Sequence, residues 1–216
     1  MAITFLQSAV NATLFQSSYT FSSQNLGTAA ADRVIIVLFK WEGAAGVTAS
    51  SITIQGITAT FTQANSINNT AIALATVPTG TTGDIVINLG VALAYEMGIG
   101  MYSTNNVSSL TPYDNQNSSA TPGSVSINVP TSGFVVGVAG TRNDSAVSNI
   151  VWSGLTRDYF QAIRSNAVQS GASGSPSGQS GYSVTATYTG GDTFGMQVAS
   201  FSYNVASVKD GFFLFM

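Results

Sequence analysis

The feature that most constrains this chain is the period of its apolar residues. They come in short, β-branched runs of strand length, bounded by Gly, Asn, Pro or Ser, which is the pattern of a half-buried strand between turns. In Ser51-Ile52-Thr53-Ile54-Gln55-Gly56-Ile57-Thr58-Ala59-Thr60-Phe61, Ile52 and Ile54 share one face. Gln55-Gly56 falls where a two-residue hairpin turn needs positive φ, which glycine adopts without a Cβ clash. Similar runs are expected as strands at Arg33 to Lys40, Thr70 to Val77, Asp84 to Leu89 and Ala92 to Tyr102. They recur at Ser124 to Val129, Phe134 to Ala139, Ile150 to Phe160, Tyr182 to Thr189 and Phe194 to Tyr203. No stretch sustains an i, i+3, i+4, i+7 pattern for three turns. The chain is expected to be all-β.

The two halves are alike. Ile52-Thr53-Ile54-Gln55-Gly56-Ile57-Thr58 aligns with Ile150-Val151-Trp152-Ser153-Gly154-Leu155-Thr156 at an offset of about 98 residues. The preceding strands match too, Arg33-Val34-Ile35-Ile36-Val37 against Gly133-Phe134-Val135-Val136-Gly137. The expectation is an internal pseudo-repeat over about 19–103 and 120–203. Two architectures fit it: one jelly-roll-like sandwich over 19–206, or two small sandwiches in tandem. The junction Thr104 to Gly123 has no charged or strongly Pro-rich hinge, which favours the single sandwich. Residues 1–18 are expected as an N-terminal arm and 207–216 as an apolar C-terminal tail.

Composition narrows the function. The 216 residues include 6 Lys+Arg, 9 Asp+Glu, no His and no Cys, for a net charge of -3. Without His or Cys there is no imidazole base, no thiol nucleophile and no zinc site of the usual N and S ligands. Six dispersed cations make no phosphate-tracking stripe, so nucleic acid is not an expected partner. No apolar run approaches the ~18 residues of a membrane-spanning helix, and the first charge, Asp32, leaves the N-terminus without the basic region of a secretory signal. So few charges give a free monomer little colloidal protection, which points to a subunit of an assembly.

Candidate chemistry is sparse. Glu42 and Glu96 are the only glutamates, and with Asp114, Asp144 and Asp158 they form no carboxylate-pair motif. Asp114-Asn115-Gln116-Asn117 and Asn143-Asp144 lack calcium-loop spacing and read as turn residues. Arg33 and Arg157 each adjoin an aspartate, Asp32 and Asp158, which suits a rim ion pair or carbonyl cap better than anion recognition. No cofactor is expected. Trp41, at a strand end, and Tyr113, in the junction, are the candidates for stacking on a sugar ring, with Tyr95 and Tyr159 behind them, whereas Trp152 reads as core.

The run Tyr19-Thr20-Phe21-Ser22-Ser23-Gln24-Asn25-Leu26-Gly27-Thr28-Ala29-Ala30-Ala31-Asp32-Arg33-Val34-Ile35-Ile36-Val37 resembles the opening of β-sandwich virion proteins of tailed bacteriophages. Val77-Pro78-Thr79-Gly80-Thr81-Thr82-Gly83-Asp84-Ile85-Val86-Ile87 and Ser126-Ile127-Asn128-Val129-Pro130-Thr131-Ser132-Gly133-Phe134-Val135-Val136-Gly137 resemble the same group. The resemblance spans roughly residues 19 to 203 and carries no catalytic residues. It implies a non-enzymatic decoration, collar, tail or fibre component, located in the virion after synthesis in the host cytoplasm. Its partners would be other copies of itself, a trimer by analogy, and other virion proteins. The alternative is a carbohydrate-binding module for attachment to a host glycan. The tail Phe212-Phe213-Leu214-Phe215-Met216, beyond the flexible joint at Gly211, is the expected partner interface, because bare apolar patches of that size are rare on soluble proteins.

Overall fold

The computed structural model describes residues 2–43, 47–64, 69–91, 94–142, 149–164, 167–176, 178–188 and 193–205. The tail Phe212–Met216 and Asp144 lie outside them. Every paired strand is antiparallel, and the described residues contain no helix. The protein is all-β.

The first half holds β1 (Thr4–Asn11), β2 (Ser18–Asn25), β3 (Arg33–Gly43), β4 (Ala49–Ile54) and β5 (Ile57–Thr58). It continues with β6 (Thr60–Gln63), β7 (Thr70–Thr76), β8 (Thr82–Leu89) and β9 (Ala94–Asn105). The second half holds β10 (Asp114–Ser118), β11 (Gly123–Val129), β12 (Gly133–Arg142) and β13 (Ile150–Ser153). It ends with β14 (Thr156–Arg164), β15 (Ala167–Gly174), β16 (Gln179–Tyr188) and β17 (Thr193–Ser202).

The strands form four sheets, and none mixes the halves. The first half makes β1-β9-β3-β7-β6 and β2-β8-β4-β5; the second makes β10-β17-β12-β15-β14 and β11-β16-β13. Replacing each strand of the first half by its counterpart in the second reproduces the same order, with β14 standing for both β5 and β6. First strand beside last, last beside third, and second beside the penultimate is the double Greek key of a jelly roll. Each half therefore closes as its own jelly roll, the tandem arrangement and not the single sandwich over 19–206 that the hinge-free junction favoured.

Three cores stack the sheets into four layers. Tyr19, Ile35, Val37, Ile52, Ile87 and Met101 belong to the core of the first half. Ile127, Val135, Trp152, Val184 and Met196 belong to that of the second. The third core joins the two five-stranded sheets through Val34, Ile36 and Leu38 of β3, Phe134, Val136 and Val138 of β12, and Phe201 of β17. Strands β3 and β12 are thus covered on both faces, which is why Val34-Ile35-Ile36-Val37-Leu38-Phe39 is a continuous apolar run without alternation. The halves are two jelly rolls in strand pairing and one body in packing.

Two boundaries move. Residues 1–18, expected as an arm, contain β1, which pairs along β9 from Thr4↔Ser103 to Asn11↔Met97. The junction contains β10, paired with β17 from Asp114 to Ser118. Its sequence Asp-Asn-Gln-Asn-Ser has no apolar period to betray it. Both are sheet-edge strands, so the repeat runs from about Thr4 and from about Asp114.

Candidate functional site

Most polar groups that the sequence marks as chemistry serve the fold. Arg33, 1% exposed, donates from Nε to the Val77 carbonyl at 2.8 Å, from one terminal nitrogen to Gly27 at 3.0 Å and from the other to Thr79 at 2.7 Å. It is a carbonyl cap, as its position suggested. Arg157 donates to the Ile150 carbonyl at 3.0 Å and to the Asn149 side chain. Glu96 lies 3.9 Å from Arg164.

Trp41 corrects an expectation. It is 2% exposed, stacks on Phe39 with ring centroids 5.5 Å apart and donates Nε1–H to the Val47 carbonyl at 3.2 Å. β3 runs on past Trp41, so the indole points into the first core and offers no face to a sugar. Trp152 is core as expected, donating to Ser170 Oγ at 3.0 Å. Tyr159 is buried between the jelly rolls, stacked on Phe5 at 5.4 Å.

Tyr113 is the most accessible of the candidates, at 62% exposure; Tyr95 is 36% exposed, with its ring 5.2 Å from that of Phe15. Tyr113 stands just before β10, its amide bonded to the Ser200 carbonyl at 2.8 Å. Beside it the end of β11, the turn after it and the start of β16 enclose an open groove of about 460 Å³, lined by Asn128, Pro130, Thr131, Gln179 and Ser180 among others. The walls are pinned. Asn128 donates its amide to Asp114 Oδ2 at 2.7 Å, and its Oδ1 accepts from the Gly181 amide at 3.1 Å and Ser180 Oγ at 3.2 Å. The Asn128 carbonyl accepts from Ser200 Oγ at 2.7 Å, and Gly178 donates to the Pro130 carbonyl at 3.1 Å. Burial alone would raise the Asp114 carboxyl, but hydrogen bonds from Asn128, Gln116 and Asn115 outweigh it and hold the group below the usual aspartate range. No lining residue is charged. The groove offers one aromatic ring and neutral hydroxyl and amide groups, of which Asn128 and Ser180 are hydrogen-bonded to each other.

Sequence reasoning passed over a second polar assembly, in the shared core. Gln169 donates to Tyr159 Oη at 2.7 Å and to the Leu38 carbonyl at 3.3 Å. Gln161 donates to the carbonyls of Ala9 at 3.3 Å and Ile99 at 3.2 Å, so both amides cross between the halves. Gly100 and Gly171 make the room: a Cβ on either would come within about 2.2 Å of the Tyr159 ring. Burial pushes the Tyr159 hydroxyl far above its ordinary range, against the Gln169 hydrogen bond. Burial also raises the Asp158 carboxyl, with Ser173 and Tyr102 beside it drawing it back. The one legible signal was the paired apolar runs 34–39 and 134–139, too continuous for a one-sided strand.

No family model and no curated protein matches the chain. Among solved structures, a turret protein of Sulfolobus turreted icosahedral virus is 12% identical, with 95% of this chain and 100% of that one covered and a TM-score of 0.17. At that score the likeness carries no argument about fold or function.

Proposed function

We propose that the protein is a non-enzymatic structural subunit of a virion, of the tailed-phage kind its sequence resembles, which assembles with itself and docks on the particle. The observation that carries this reading is the make-up of the two outer sheets. Their solvent faces present Ser18, Thr20 and Ser22 in the first half and Ser124, Ser126, Ser183 and Thr187 in the second. A charged surface is costly to cover, because ions must shed water. Hydroxyls can be covered by a neighbour and hydrogen-bond to it, so such a face suits a subunit whose surface is shared.

Light scattering on the purified protein tests the reading: an oligomer is expected, and a clean monomer at high concentration would remove self-assembly. Deleting residues 212–216 is expected to leave the melting temperature nearly unchanged and abolish assembly or particle binding. A sharp fall in melting temperature with assembly intact would make the tail part of the protein's own core.

The Tyr113 groove favours a second reading, attachment to a neutral host glycan. A glycan array with wild type and Tyr113→Ala separates the two, since binding that Tyr113→Ala abolishes adds a lectin-like role and silence across the array leaves the structural one.

A further inference from the structure

The two five-stranded sheets that meet in the third core carry equivalent positions, which their registers identify. Leu38 of β3 lies opposite Gly100 on one side and Ile72 on the other, and Ile72 lies opposite Thr62. In the second half Val138 of β12 lies opposite Gln197 and Gly171, and Gly171 lies opposite Tyr159. With Leu38 matched to Val138, Gly100 corresponds to Gln197 and Thr62 to Tyr159. Two residues further along the central strands, Lys40 corresponds to Gly140.

Contacts across the seam join these positions crosswise. A Cβ on Gly100 would run into the Tyr159 ring, and at the mirrored place Gln197 donates to Thr62 Oγ1 at 3.1 Å. Lys40, 1% exposed, meets its own counterpart: a Cβ on Gly140 would run into Cδ and Cε of the lysine. When one residue touches a second, and their counterparts touch in the reverse sense, the packing is that of a two-fold dimer. Lys40 and Gly140, equivalent and in contact, lie beside the axis. The side chains break that symmetry, because each contact sets a larger group on a smaller one. Lys40 covers Gly140, Tyr159 covers Gly100, and Gln197 reaches over Thr62. Two first halves packed in this way would set Lys40 against Lys40, like charges side by side, and leave space twice between Gly100 and Thr62. Two second halves would press Tyr159 against Gln197 twice, in room made for a glycine.

We infer that the seam is a recognition surface for an unlike partner: each jelly roll binds the other and rejects its own kind. Such specificity is a difference between two pairings, and here misfit of the like pair contributes to it as well as fit of the unlike one. This recognition holds whether or not copies of the chain assemble. It also directs assembly, since the five-stranded sheets are already occupied and contacts between copies fall to the remaining surface.

The test cuts the folded full chain once, at a protease site inserted after Thr111, which is exposed in the junction between the halves. Native mass spectrometry should show fragments 1–111 and 112–216 held together in equal numbers. On dilution to the point where the complex begins to part, single fragments should appear and pairs of like fragments should not. Fragments that separate on cutting, or pairs of like fragments, would overturn the inference. Gly100→Gln sets a glutamine against Tyr159, as a pair of second halves would, and should weaken the cut complex by roughly 10- to 100-fold. Joined with Tyr159→Thr, it rewrites this contact as the glutamine–threonine pair of the mirrored side. The loss in the double variant should then be about tenfold smaller than the product of the two single losses. If Gly100→Gln alone does not fold, the double variant should, and its failure would count against the inference. Single losses that simply multiply would show that the fit of these side chains does not select the partner.

Discussion

The two jelly rolls share a strand order but anchor their central strands by different means. At the start of β3, Arg33 extends a buried guanidinium to the carbonyls of Gly27, Val77 and Thr79. At the start of β12 the counterpart is Gly133, where a Cβ would come 2.7 Å from the Pro130 carbonyl oxygen. The turns after the fourth strand differ in the same way. Gln55 and Gly56 have φ of 52 and 77, the pair of positive values of a type I′ hairpin, and β4 pairs with β5 directly. Gly154 has φ 86, but β13 and β14 go to different sheets, so the same Gly-Ile/Leu-Thr signature turns a hairpin in one half and a sheet crossover in the other. A shared order of strands comes from the apolar pattern; each closure is a local solution.

The largest test concerns what the halves have in common. Tyr159→Ala should cost about 3–5 kcal/mol, the range for removing a buried aromatic, and calorimetry should show both halves still unfolding in one transition at a lower temperature. Two resolved transitions, with only one displaced, would mean that the third core does not couple them.

Arg33→Met should destabilise by about 3 kcal/mol, since it leaves buried carbonyls without their charged donor. Urea unfolding would register this as a lower midpoint. An unchanged midpoint would show that the first half closes without the guanidinium, as the second does.

The glycines sharpen the contrast further. Gly154→Val combines a strained φ with a Cβ 2.4 Å from the Ser183 carbonyl oxygen, and about 3 kcal/mol of destabilisation is expected. At Gly56 nothing lies within 4 Å of the added Cβ, so Gly56→Val should cost only the backbone strain, about 1–2 kcal/mol. Equal losses at the two sites would contradict the different surroundings of the turns.

The smallest effects are expected from two aspartates of the second half, with opposite signs. Asp114 is held below the ordinary range, so its contribution is present above an ordinary aspartate pKa and is lost as pH falls through its folded value. Asp158 is raised, so its contribution is present at acid pH and is lost as pH rises through its folded value. Asp114→Asn should therefore lower the melting temperature at pH 7 and converge on wild type in strong acid. Asp158→Asn should raise it at pH 7. Melting curves at both pH values check the two signs.

How much was legible follows from where each signal resides. Most strands, the repeat and the turns at Gly56 and Gly154 were visible, because alternation and turn residues are local, but β15 was not: its Gly/Ser-rich second half reads as a loop, and it is buried between β12 and β14. β10 was invisible, because Asp114-Asn115-Gln116-Asn117-Ser118 gains its place from pairing with β17. Trp41 was misplaced, because a strand end in sequence is no guide to whether the next residues continue the sheet. Tyr113 was found, since an aromatic in a polar junction has few ways to be buried.

The sequence by itself determined that this chain is a duplicated all-β protein, low in charge and without imidazole or thiol chemistry. Those properties are carried by residue type and by a period of two, which any strand must obey. The tertiary structure alone decided that each half closes as its own jelly roll and that β3 and β12 are buried on both faces. It also decided that Gln161, Gln169 and Tyr159 bridge the halves and that Tyr113 overlooks a groove. The physical reason is that burial of a second face, and the pairing of a buried amide, depend on what arrives from a distant part of the chain. Gly100 and Gly171 show it most directly: as letters they break a strand, and in the folded protein they are the space that the Tyr159 ring fills.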